Sequence, residues 1–127
     1  MSDRPAIISI QEIPLDANVQ VVITLAWQDA QYSGEAVGPT DRYLRPRLVG
    51  EATLRAVEEV TNNAIHLSLA AIATTPLGNA QVAMAQVQLE GDEEPFVGSA
   101  ILREHDDAGA TVKAVLDAIN RRLGAVL

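Results

Sequence analysis

The chain contains no cysteine, which excludes disulfides, zinc–thiolate sites and thiol nucleophiles together and is compatible with the cytosol. Aromatic residues are scarce, at 3%, which opposes RNA binding, because bases are held largely by stacking on aromatic side chains. Positive charge is also short. Nine Lys and Arg stand against 17 Asp and Glu, a formal charge of −8, whereas phosphate backbones are bound through cationic faces. No stretch approaches the ~20 apolar residues of a membrane-spanning helix, and Met1-Ser2-Asp3-Arg4-Pro5 lacks the cationic start and apolar run of a secretory signal. The expectation is a cytoplasmic protein with no nucleic-acid or membrane partner.

What is present is the composition of a folded chain. Hydrophobic residues make up 48% and charged residues 20% of 127 positions, enough apolar surface to offset the ordering entropy of one domain spanning residues 1–127. Ala6 to Ile13 is rich in isoleucine, and Val19, Val21, Ile23, Leu25 and Trp27 share one face with Gln20, Thr24 and Gln28 opposite, as in a half-buried strand. A turn at Pro14 to Asn18 joins them, and Gln28-Asp29-Ala30 leads into a third strand from Gln31 to Val37. Gly38-Pro39-Thr40-Asp41 breaks the pattern. Val49, Ala52, Ala56, Val57 and Val60 then recur at helical spacing, which predicts an amphipathic helix from about Arg47 to Thr61, stopped by Asn62-Asn63.

The same signals return in the same order. Strands are expected at Ile65 to Thr74, Ala80 to Leu89 and Phe96 to Arg103, with turns at Pro76 to Asn79 and Gly91 to Pro95. In the fifth strand the apolar phase slips between Met84 and Val87, which predicts a bulge or a strand buried on both faces. A last helix runs from about Asp107 to Leu123, with Val112, Val115, Leu116, Ile119 and Leu123 inward and Lys113, Asp117 and Arg121 outward.

Three blocks match between the halves. Asn18-Val19-Gln20-Val21 is similar to Asn79-Ala80-Gln81-Val82, Tyr32-Ser33-Gly34-Glu35-Ala36 to Phe96-Val97-Gly98-Ser99-Ala100, and Ala52 to Val57 to Ala110 to Val115. Their collinearity indicates an internal duplication, with one repeat at 6–63 and the second at 64–123. The fold class that follows is α+β: two β-β-β-α units forming a layered sandwich, two helices packed on antiparallel sheets. Gly34 and Gly98 are read as packing glycines, placed where another backbone comes close.

This arrangement resembles the C-terminal regulatory domain of 2-isopropylmalate synthase and the related citramalate synthases. The residues that carry the likeness are Tyr32 to Asp41, similar to that family's Gly-x-Gly-Pro-x-Asp approach to its first helix, and Ala110 to Asn120, similar to its last helix. The resemblance implies a homodimer that binds an end-product amino acid, such as leucine or isoleucine, through loops and helix starts. The sequence departs from the pattern at Arg42 to Arg47, read as an insertion, and in carrying no catalytic barrel.

Candidate chemistry is sparse. His66 and His105 have no second metal ligand at helical spacing, and there is no serine-nucleophile motif, phosphate-binding glycine loop or dinucleotide fingerprint. No catalytic residue, metal site or cofactor is expected. The acids of Glu104-His105-Asp106-Asp107 sit where a helix begins and suit capping better than cation binding. Asp92-Glu93-Glu94 reads as a solvated turn, and the Arg42, Arg45, Arg47 trio as a solvated loop. The loops that lead into the two helices remain as the candidate ligand site: Gly38, Pro39, Thr40, Asp41 and Arg42 in the first repeat, and His105, Asp106, Asp107 and Gly109 in the second. Helix starts offer unpaired N–H groups to an anion.

Three functions are compatible with these features. The first is a non-catalytic, homodimeric regulatory module for a small metabolite such as an amino acid. The second is a protein–protein interaction module working through a sheet edge or dimer surface. A double-stranded RNA-binding fold is the third, opposed by the acidity and the few aromatics.

Overall fold

Alternation of side chains builds both sheets. The computed structural model describes residues 4–126, without the side chains at 121 and 124–126, so the orientation expected for Arg121 lies outside the described residues. Strands β1 (Ala6–Leu15), β2 (Asn18–Trp27) and β3 (Ala30–Pro39) precede helix α1 (Arg45–Val60). Strands β4 (Leu67–Leu77), β5 (Ala80–Leu89) and β6 (Phe96–Ile101) precede helix α2 (Asp107–Val126). Each unit forms its own antiparallel three-stranded sheet, ordered β1-β2-β3 and β4-β5-β6. Two β-β-β-α units therefore make up the chain.

The helices lie between the sheets. Helix α1 packs on β2 and β3 of its own sheet and also on β4, whereas α2 packs on β5 and β6 and touches β1. This placement explains why α1 buries Leu48, Val49, Ala52, Leu54, Ala56, Val57 and Val60, more of its circumference than a one-sided stripe would. The buried residues of both units join in one core.

Close approach of helix to sheet depends on two glycines. A Cβ on Gly34 would lie 2.1 Å from the backbone nitrogen of Ala56, and one on Gly98 would lie 2.2 Å from that of Ala118. Each glycine lets one helix backbone rest on its strand.

These contacts also set the true correspondence of the repeats. Gly34 meets Ala52 and Ala56, Gly98 meets Ala114 and Ala118, so Ala52 is equivalent to Ala114. The sequence match of Ala52 with Ala110 is displaced by one helical turn. In the hairpins, Leu15 pairs with Asn18 across the Asp16-Ala17 turn and Leu77 with Ala80 across the Gly78-Asn79 turn. Asn18 thus corresponds to Ala80, one residue beyond its sequence match at Asn79.

Of the two alternatives for β5, the bulge lies in β4 instead, whereas β5 is buried on both faces at Val82 and Ala83. Residues Ala83, Ala85, Val87 and Leu89 form one continuous inward row on β5, and its pairing with β6 has no break. The register shifts between Leu69 and Ala71, opposite Val87, and likewise between Ile7 and Ser9 in β1, opposite Leu25. The bulge recurs at the equivalent place in each unit. Several boundaries also move. Strand β1 runs on to Leu15, β3 spans Ala30–Pro39 and β4 spans Leu67–Leu77, so that the turns expected at Pro14 to Asn18 and Pro76 to Asn79 shrink to two residues each. Helix α1 begins at Arg45, because Pro46 takes a first-turn position where its missing N–H costs nothing, and β6 ends at Ile101.

Candidate functional site

The two loops named as the site do converge, on a cleft of about 450 Å³ where the starts of both helices meet β1. Arg42, Tyr43, Arg45, Pro46 and Val49 form its α1 side, Asp107, Ala108 and Thr111 its α2 side, and Glu12 its β1 wall. Of the nine expected site residues, Arg42 and Asp107 line the cleft.

The others hold the loops in place. Gly38 lies against Leu48, whose methyl would be 2.7 Å from a Cβ there, and Pro39 ends β3. The backbone N–H and the hydroxyl of Thr40 both donate to the carbonyl of Ala17 at 3.0 Å, tying the end of β3 to the β1–β2 turn. Asp41 accepts the Tyr43 N–H on Oδ1 at 2.8 Å and the Leu44 N–H on its carbonyl at 3.0 Å. His105 is exposed in the left-handed region, φ 62°. Asp106 accepts the Gly109 N–H at 3.0 Å, and Gly109 has no Cβ where the carboxylate sits.

The two helix starts therefore differ. Asp106 caps α2, which also carries Asp107 in its first turn, and an acid there suits the positive end of the helix dipole. Helix α1 has no side-chain cap and no acid in its first turn. Its start is flanked by Arg42 and Arg45 and leaves N–H groups without intrahelical partners.

Glu12 and Arg45 have the largest part in the cleft that the sequence left unassigned. Glu12 lies opposite Val21, on the inward phase of β1, and its carboxylate contacts the Arg45 guanidinium. The Nε of Arg45 is buried without a hydrogen-bond partner. The trio expected to be a solvated loop is in fact largely helical. Arg45 belongs to the cleft, while Arg47 donates to the carbonyl of Leu69 at 2.8 Å and pairs with Glu51 at 3.3 Å.

Chemically, the cleft sets two guanidinium groups and an uncapped helix start beside two carboxylates, with Val49 and Ala108 as apolar lining. Neither histidine lines it. The Thr111 hydroxyl donates to the Asp107 carbonyl at 3.0 Å. Among the described residues there is no group of three or more His, Asp or Glu that would hold a metal ion, and no helix is long and apolar enough to cross a membrane. No protein-family model and no curated protein matches the sequence.

Proposed function

We propose that the protein is a non-catalytic, homodimeric binding module that takes a small zwitterionic metabolite, such as an amino acid, in the cleft between its helix starts. The carboxylate of the ligand docks at the uncapped start of α1 beside Arg42 and Arg45, where backbone N–H groups and guanidinium donors converge. Its ammonium faces Glu12 and Asp107, and a short aliphatic side chain rests on Val49 and Ala108. The observation that carries this reading is the meeting, in one cleft, of Arg42, Arg45 and an uncapped helix start on one side with Glu12 and Asp107 on the other, opposite charges spaced for a zwitterion. Likeness to the regulatory domain of 2-isopropylmalate synthase supports the same ligand class.

Calorimetry against leucine, isoleucine, valine and their 2-oxo and 2-hydroxy analogues tests it. Saturable heat with one of the amino acids is expected, weakened at least tenfold in the 2-oxo analogue, which lacks the ammonium group, and in Arg45→Met. Absence of heat with every member of the panel at millimolar concentration overturns the proposal.

A further inference from the structure

We propose that two copies of the chain associate through the outer face of the β4-β5-β6 sheet, an assignment that rests on the homodimeric reading and goes beyond it by naming the surface. No residue of β4, β5 or β6 is charged, although charged residues make up 20% of the chain and its net charge is −8. Two copies of so acidic a protein repel each other wherever carboxylates meet, so a face without charge is where they approach at least cost. The β1-β2-β3 sheet differs. Its outer face carries Glu35, which accepts from Gln20 at 2.7 Å, and a Thr24–Ser33 hydroxyl pair at 2.9 Å.

The outward row of β5 places Met84, 39% exposed, at the centre of the face, beside Val82, which its neighbours already bury, and Leu77, Val97 and Ile101 around them are exposed at 70%, 61% and 57%. Side-chain size is uneven across the sheet: Ala71 and Ala73 face outward on β4, and Val97 and Ile101 on β6. A twofold axis along β5 sets the β4 row of one copy against the β6 row of the other, Ala71 against Val97, Ala73 against Ser99 and Thr75 against Ile101, with Met84 near the axis. That is the self-complementarity a twofold interface requires.

Edge pairing is the competing mode, and the sheet's own edges are partly closed to it. Arg55 and Glu58 take the carbonyl and N–H of Leu67 on β4, Arg47 takes the carbonyl of Leu69, and Asp117 accepts the N–H of Ser99 on β6. Charged side chains across an edge oppose the addition of a strand. The face measures roughly 30 Å by 14 Å from strand rise and spacing, so two faces cover on the order of 800 Å², the size of a weak, transient contact. Association in the micromolar range is expected, not an obligate assembly.

Sedimentation between about 5 and 200 µM tests the surface. The parent chain is expected to approach twice 13.5 kDa, Met84→Glu to stay monomeric, and Gln11→Glu, on the outer face of the other sheet, to behave as the parent. Because the chain has no cysteine, Met84→Cys gives a second readout that does not depend on a charged variant folding. A short bis-maleimide is expected to link two such chains covalently across a face-to-face gap of about 10 Å, and not to link Gln11→Cys. A monomeric parent chain sinks the homodimer itself. A dimeric parent chain in which Met84→Cys fails to cross-link, or Met84→Glu remains folded and dimeric, overturns the surface while leaving the dimer.

Discussion

Single residues decide how closely the layers meet and how the hairpins turn. A methyl at Gly34 or Gly98 collides with helix backbone rather than with a side chain that swings away, so Gly34→Ala and Gly98→Ala are each expected to lower unfolding free energy by about 2–4 kcal/mol. Chemical denaturation of the two variants checks this, and near-parental midpoints would contradict the packing role. The β2–β3 turn is strained in the opposite sense. Gln28 and Asp29 both have positive φ, 49° and 64°, values that a two-residue turn with the twist of its strands demands and that glycine adopts freely. Asp29→Gly is accordingly expected to stabilise by about 0.5–1 kcal/mol, seen as a melting temperature higher by a few degrees.

At the scale of elements, the polar contacts between α1 and the β4 edge fasten one unit to the other. Glu58 accepts the Leu67 N–H at 2.8 Å and holds Arg55 at 3.0 Å, with its own side chain largely buried. Glu58→Ala strips a buried backbone donor of its partner and is expected to cost about 2 kcal/mol. Glu58→Gln retains an acceptor and loses only a half-exposed ion pair, so its expected cost stays below about 1 kcal/mol. Equal losses in thermal unfolding would show that the Leu67 hydrogen bond contributes nothing. The order of these elements was legible in the residues, because period-two alternation and a helical stripe each leave a local trace. Correspondence between the repeats was not. Small apolar residues recur every fourth position on α1 and α2, so a one-turn slip keeps the stripe in phase and hides the match of Ala52 with Ala114. The fifth strand misled for a related reason: Val82 and Met84 belong to the outer face, and the true inward row begins with the small residues Ala83 and Ala85.

For the whole molecule, the cleft arises where the pseudo-twofold arrangement brings two unlike helix starts together. Arg42 and Asp107 were legible from the loops that precede the helices. Glu12 was not, since it joins the site from a strand far away in sequence and only the tertiary fold sets it beside Arg45. Its one local trace was a charge on the inward phase of β1, between Ile10 and Pro14. A ligand that bridges both helix starts binds the folded chain alone, so saturation at about 100 times its Kd is expected to add roughly 2.7 kcal/mol of stability, and the melting temperature should rise accordingly. The most direct test of the binding reading is an amide chemical-shift titration of the uniformly 15N-labelled protein with leucine. The account predicts saturable shifts concentrated at Arg42 to Val49, Asp107 to Thr111 and Glu12. Shifts absent at millimolar ligand, or centred on the outer faces of the sheets, would contradict it.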